Sequence, residues 1–346
     1  MMNVVDIHSH FFPKSWENLA AKFGGDDWPW LRHEENPKPN QGKTPKQYPG
    51  RDWAMLMKGD KEFRPIYSAC WDASVRLEEM DRDGVDKQII SATPILFAYD
   101  KPVAQAEYCA QLFNDAAMDI CAQGDNRLFA LAQVPLQDID ASCREVSRAK
   151  SCGHVGVQIG NHVGDNNMDD AGVLTFLQHC AEQDIPVFVH PWDMMAANRT
   201  KDYMMGWTVG MPAETQLSIV SMILGGGFDR VSDNLKICFA HGGGSFAFLL
   251  GRLDNAWHHR SIARGKSEFP PSHYLNRFYL DTAVFDHDSL DLLVKKMGPE
   301  RLMFGSDYPF PLGEQQMGQL IKTAPSLTDK NKQLLLATNA EQFFNI

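Results

Sequence analysis

Eight short apolar segments alternate with helical stretches along this chain, and that alternation constrains the fold more than any other feature. The segments are Val4–His8, Lys87–Ala92, Phe129–Val134, Gly156–Ile159, Pro186–His190, Lys236–Ala240, Phe278–Asp281 and Arg301–Phe304. Near-continuous apolar runs of this length are the mark of parallel strands buried on both faces. Between them the pattern predicts helices over Ser74–Asp83, Val103–Ala122, Asp138–Ser151, Asp169–Gln183, Ala213–Phe228, Ser245–Arg260 and Asp288–Met297. Two more, Gln315–Ala324 and Asp329–Asn339, follow the last strand. Strands alternating with helices imply βαβ units and a parallel sheet. Eight such repeats match an α/β fold of the (β/α)8 TIM-barrel type, in which chemistry sits at the C-terminal ends of the strands.

The 346 residues allow two domains on length alone, but a single decorated barrel over 1–346 accounts for the pattern. The decoration is a subregion at 14–65, which holds Gly24-Gly25, Pro29, Pro37, Pro39, Pro45 and Pro49-Gly50. Proline and glycine at that density break regular elements. It reads as an N-terminal insertion with a short hairpin around Trp53 to Phe63, and long insertions of this kind serve as lids or binding loops.

A formal charge of −11 makes the chain a poor candidate for non-specific binding of nucleic acid or of an anionic membrane surface. No run of 18 apolar residues suggests a membrane span, and the N-terminal residues lack a signal-peptide pattern. Seven cysteines, at 70, 109, 121, 143, 152, 180 and 238, form no C-x-x-C pair. They read as reduced thiols of a cytoplasmic protein.

Reactive side chains collect where the strands end. His8 and His10 are two apart on the first strand and so share a face. His190 ends the fifth strand, and the eighth runs into Gly305-Ser306-Asp307. Three imidazoles and one carboxylate make a plausible open catalytic metal site. The set suits zinc best, and manganese, cobalt and iron also fit these ligand types. His241, in His241-Gly242-Gly243-Gly244-Ser245 after the sixth strand, is either a fourth nitrogen ligand or a general base. The base role is preferred, because His8, His10, His190 and Asp307 already fill a mononuclear site. Arg64 and Arg252 are candidates to hold carboxylates by bidentate hydrogen bonds, although helix periodicity does not aim Arg252 into its own barrel mouth. Trp192 can wall the pocket. His154 and His162 read as structural, the methionines at 194, 195, 204, 205 and 211 as packing, and His258-His259 as a helix end without a catalytic role.

Several segments together carry a resemblance. Asp6-Ile7-His8-Ser9-His10-Phe11-Phe12-Pro13, Gln158-Ile159-Gly160-Asn161-His162, Val189-His190-Pro191-Trp192-Asp193-Met194-Met195, His241-Gly242-Gly243-Gly244-Ser245-Phe246 and Gly305-Ser306-Asp307-Tyr308-Pro309-Phe310-Pro311 resemble the α-amino-β-carboxymuconate-ε-semialdehyde decarboxylases of the amidohydrolase superfamily. The likeness runs from residue 3 to the C-terminus. It implies a metal-dependent hydrolase type of barrel and one Zn2+ per subunit on His8, His10, His190 and Asp307. The fourth strand carries no lysine, where binuclear members place a carboxylated one, which agrees with a single ion. The implied reaction is non-oxidative decarboxylation of 2-amino-3-carboxymuconate 6-semialdehyde by metal-bound hydroxide, with His241 as base, in kynurenine or 2-nitrobenzoate breakdown. Arg64 matches the family's arginine for a substrate carboxylate. Arg252 matches one inserted into the neighbouring subunit's site, which implies a homodimer. The stretch Asn36 to Lys58 departs from the family, being richer in proline and lysine. The alternatives are a lactone or amide hydrolase, or an aromatic-acid decarboxylase, of the same superfamily.

Overall fold

The computed structural model describes residues 2–33 and 52–346. Its strands are β1 (Val5–Phe11), β2 (Pro29–His33), β3 (Trp53–Lys58), β4 (Lys61–Tyr67), β5 (Lys87–Ala92), β6 (Leu128–Ala132), β7 (Gly156–Gly160), β8 (His162–Val163), β9 (Asn166–Asn167), β10 (Val187–His190), β11 (Ile237–Phe239), β12 (Tyr279–Asp281) and β13 (Leu302–Met303). Eight of them form one sheet in the order β1-β5-β6-β7-β10-β11-β12-β13. Every neighbouring pair is parallel. The ends meet through Ile7 N–H to Phe304 O (2.9 Å), Asp307 N–H to His8 O (2.9 Å) and His10 N–H to Tyr308 O (2.7 Å). The sheet is thus the expected (β/α)8 barrel, with a helix following each strand on its outside.

The apolar runs dictate this closure. Val5, Ile7, Ile89, Leu131, Phe188, Cys238 and Met303 are fully buried and pack with Ala337, Ala340, Phe343 and Phe344 of the C-terminal helix. The outer faces of the strands pack on the helices in a second, larger core. Aspartates cap the helices Ala73–Asp83, Ile139–Ser151, Ala171–Glu182 and His287–Met297, each accepting from first-turn amides.

Three helices differ from expectation, and the stretch expected at Gln315–Ala324 shortens to Gln319–Thr323, behind Gly318 at φ +80°. The stretch expected at Ala213–Phe228 breaks into Met211–Leu224 and Gly227–Arg230. Gly226 between them takes φ +71°, a left-handed conformation that ends the first helix. The stretch expected at Asp329–Asn339 runs on to Phe344 through a five-residue π turn at Leu334–Thr338. That turn presents Leu335 O to Phe304 N–H at 2.8 Å, beside the barrel seam.

Within 14–65, residues 34–51 lie outside the described residues, and so does most of the Asn36 to Lys58 stretch. The remainder forms a short helix at Leu19–Phe23 and an antiparallel sheet in the order β2-β3-β4, and the expected hairpin is β3 with β4.

A buried arginine locks the first strand to its surroundings. Arg76, 1% exposed, donates to His10 O (2.5 Å), Ala69 O (3.0 Å), Gln88 Oε1 (2.7 Å) and Ser9 Oγ (3.2 Å). Hydrogen bonds from a charged donor contribute about 1.5–3 kcal/mol each, and orphaned buried acceptors add a penalty. Arg76→Met should therefore lower the unfolding free energy by about 3 kcal/mol or more. Urea denaturation measures this, and a loss under about 1 kcal/mol would contradict the anchoring role.

Candidate metal centre and active site

The strand ends place the four expected ligands together. One ligand atom each from His8, His10, His190 and Asp307 lies within 4.8 Å of every other, and all four residues are buried. His8 and His10, two apart on β1, reach the same point, and the register of β1 against β5 slips between Asp6 and Ser9. A bulge of this kind re-aims side chains beside a site. The two Nε2 atoms end 3.2 Å apart. Asp307 Oδ1 stands 3.5 Å from His8 Nε2 and 3.3 Å from His10 Nε2. Asp307 itself takes φ +60°, so the turn after β13 swings its carboxylate back toward β1.

Each imidazole has its Nδ1–H committed elsewhere. His8 donates to Asp281 Oδ2 at 2.6 Å, His190 to Pro191 O at 2.7 Å and His10 to Ser91 Oγ at 3.4 Å. Ser91 passes its own proton to Gln158 Oε1 at 2.7 Å. These bonds fix tautomers that turn Nε2 inward, the arrangement typical of metal-binding histidines. Donor types, spacing and orientation all fit one small divalent cation.

Burial dominates the electrostatics. It pulls His10 down to about 4 against the hydrogen bond to Asp307. It also takes His190 well below the ordinary imidazole value, with His10, His241 and His8 adding to the effect. For His8 burial acts the same way, but the Asp281 hydrogen bond and the charges of Asp307, Asp281 and Asp6 outweigh it and leave the ring more basic than usual. Burial opposes ionisation of Asp307, yet the adjacent His10 and His8 hold it far below the usual carboxylate range.

His241 sits beside the ligands, its ring centroid 5.1 Å from that of His8 and 5.0 Å from that of His190. Both of its ring nitrogens are buried, and neither has a hydrogen-bond partner among the described residues. Burial and the neighbouring His8 lower its affinity for a proton. It stands at φ +55° on a turn whose glycines 242, 243 and 244 are also left-handed. A Cβ on Gly244 would lie 2.0 Å from Pro212 O, so only glycine fits there.

Arg64 is brought to the same mouth by β4. Its guanidinium lies 3.9 Å over the Phe310 ring, which in turn stands 5.4 Å from His10. Its Nε is buried without a partner among the described residues. Burial lowers Arg64 only to about 10, so it stays a cation at neutral pH. Trp192 is partly buried between Tyr99 (5.3 Å) and His162 (5.5 Å) and donates from Nε1 to His162 O at 2.8 Å. Arg252 is apart from these residues. It is exposed on the helix Phe246–His259, next to Phe248, which is 77% exposed. His154 and His162 lie outside the cluster and bond to the backbone oxygens of Ala149 and Gly164. Sequence reasoning missed Asp281, Ser91, Arg76 and Phe310. Asp281 alone carried a usable signal, since it too ends a strand.

The comparisons agree with this geometry. The family profile described as Amidohydrolase matches residues 5–346, and the chain belongs to that family. Within it, the chain is 38% identical over 344 residues to the 2-amino-3-carboxymuconate-6-semialdehyde decarboxylase of Dictyostelium discoideum, covering 99% of this chain and 91% of that one. It is 29% identical over 393 residues to the enzyme of the same name from Caenorhabditis elegans, covering 99% and 94%. The fold superposes on 5-carboxyvanillate decarboxylase from Novosphingobium aromaticivorans, a structure complexed with manganese and 4-hydroxy-3-methoxy-5-nitrobenzoic acid, at a TM-score of 0.79 and 20% identity over 100% of this chain and 96% of that one.

Metal analysis of the purified protein should find one divalent ion per chain. His10→Ala and Asp307→Ala should each lose most of it while remaining folded by circular dichroism. Full metal retention in both would show that the ion sits elsewhere.

Proposed function

We propose that this chain catalyses the metal-dependent, non-oxidative decarboxylation of 2-amino-3-carboxymuconate 6-semialdehyde to 2-aminomuconate 6-semialdehyde. The observation that carries the reading is the meeting of three imidazoles and a carboxylate from four strand ends, with His241 and Arg64 beside them. The choice of substrate is supported by the relative that is 38% identical over nearly the whole chain. His8, His10, His190 and Asp307 would hold the ion, with zinc the best match to three nitrogens and one oxygen. When bound, such an ion supplies a Lewis acid that lowers the pKa of coordinated water and polarises substrate oxygens.

The chain's own groups do the remaining work. Decarboxylation breaks one carbon–carbon bond, leaves the electron pair on the substrate carbon and releases carbon dioxide. That carbon must then gain one proton. His241 is neutral near pH 7 because it is buried, so a ring nitrogen can accept a proton and pass it on. Arg64 offers a charged donor, held 3.9 Å over the Phe310 ring, to one substrate carboxylate. A dicarboxylate needs a second cation, and we assign this to Arg252 of a neighbouring subunit in a homodimer. Its exposed position beside Phe248 suits a residue that reaches outward. Trp192 walls the pocket. In this reading the protein is a cytoplasmic enzyme of kynurenine or 2-nitrobenzoate breakdown. The likeness in fold to 5-carboxyvanillate decarboxylase favours, as a second reading, action on an aromatic acid.

Mixing the metal-loaded protein with freshly generated substrate should remove the substrate's absorbance and release equimolar carbon dioxide. Gas release only from 5-carboxyvanillate or a dihydroxybenzoate would favour the second reading, and release from neither class would overturn both. His241→Ala should keep its metal and lose about 10²- to 10⁴-fold in rate. A mixture of Arg252→Ala and His241→Ala proteins should recover part of the lost activity, because one site in each mixed dimer is intact. No recovery would argue against shared sites.

A further inference from the structure

One buried carboxylate joins the metal ligands to the turn that carries His241. Asp281 is the last residue of β12 and is fully buried. Its Oδ2 accepts His8 Nδ1–H at 2.6 Å. Its Oδ1 accepts Gly242 N–H at 2.8 Å and Ala283 N–H at 3.1 Å. The two oxygens therefore face two different parts of the site. Burial opposes ionisation of Asp281, but the hydrogen bond and charge of His8 hold it below its ordinary value. Gly305 makes the room: a Cβ there would lie 2.8 Å from His8 Cβ and 2.9 Å from Asp281 Cβ.

We infer that Asp281 is a positioning residue that serves both halves of the site, fixing His8 with Nε2 toward the ion and fixing the His241 turn through Gly242. The inference rests on the metal-centre reading above. Of the three imidazoles, His8 alone gives its Nδ1–H to a carboxylate, since Ser91 and the Pro191 carbonyl serve the others. A carboxylate partner both orients the ring and raises its donor strength. The turn needs help of its own, because His241 is a non-glycine residue at φ +55°. Such conformations persist only where their surroundings over-determine them. The Gly242 N–H bond to Asp281 is one such restraint, applied at the residue next to His241.

Asp281→Asn separates the two roles. The amide oxygen must face the Gly242 and Ala283 N–H donors, which leaves an NH2 group opposite His8 Nδ1–H. This variant should keep the turn and lose the support of His8. Titration of the metal-free proteins with zinc alone should show affinity about 10- to 100-fold weaker than wild type. Binding within about threefold of wild type would overturn the role at His8, provided that wild type binds zinc. Failure of wild type to bind would instead sink the metal-centre reading itself. A second measurement needs no variant. In zinc-loaded protein labelled with ¹⁵N-histidine, His8 should show a far-downfield, solvent-protected Nδ1–H, and its absence would also overturn the role. Asp281→Ala removes both restraints. At saturating zinc its kcat should fall clearly below that of Asp281→Asn with little change in KM, and equal kcat values would overturn the role at the turn.

Discussion

The seam between β1 and β13 is the constraint on which the rest of the molecule depends. Backbone bonds from Ile7 to Phe304, from Asp307 to His8 and from His10 to Tyr308 tie the first strand to the last. They do more than close a cylinder. Asp307 donates its own amide to the carbonyl of His8, so two candidate ligands separated by most of the chain become backbone neighbours. Side chains across the seam reinforce it. Ser306 donates to Asp6 through both its hydroxyl (2.6 Å) and its amide (3.0 Å), and Gln88 adds a third bond to Asp6 at 2.9 Å. Burial still raises the Asp6 pKa, so this aspartate is held by donors and not by a cation. A cluster assembled across a closure seam exists only when the whole barrel exists, so any ion it holds would be coupled to complete folding.

The insertion follows a different logic. A sheet of three antiparallel strands cannot bury both faces alone, and β2-β3-β4 lies against the barrel through buried Trp28, Ala54, Leu56 and Ile66. That packing carries Arg64 to Phe310, a residue of the same loop as Asp307. Phe63 meets Trp207, from the segment after β10, at 6.2 Å. The described residues between Lys14 and Pro65 thus add no strand to the barrel and bring side chains to its mouth. They supply a cation that the eight strand ends do not.

What was legible in the sequence had a periodic or positional signature. Parallel strands buried on both faces must be apolar throughout, so eight runs could be read directly, and the reactive residues stood out because they end those runs. The helix Val103–Ala122 was legible to the residue, since Pro102 marks its start. What stayed hidden depended on contacts between distant segments. Arg76 looks like an ordinary charge on an amphipathic helix, and only the packed barrel shows it pointing inward at the carbonyl of His10. Ser91 and Phe310 acquire meaning only from the neighbours that the fold gives them. Asp281 lies at the end of a predicted strand, as His190 does. It was passed over because it is a partner of a ligand and not itself a ligand, a distinction that residue type cannot make. The break at Gly226 was missed although three consecutive glycines marked the place, and which of them turns left-handed depends on packing.

The same contacts set this cluster apart from ordinary core packing. Two imidazole Nε2 atoms 3.2 Å apart, with both Nδ1–H groups committed elsewhere, aim lone pairs at one point. Asp307 Oδ1 aims a third within 3.5 Å of both. Apolar packing alone would never favour such a set, because each buried polar atom must find a partner or lose about 1–3 kcal/mol. The surroundings do not relieve the convergence. Phe188 lies 5.0 Å from His8 and Phe310 5.4 Å from His10, so the cluster is walled by rings with no hydrogen bonds to offer. The acceptors that are present, Asp281 and Pro191 O, sit behind the imidazoles and push their lone pairs forward. A small cation at the focus would satisfy every one of these atoms at once, and its binding would then add to the stability of the closed barrel.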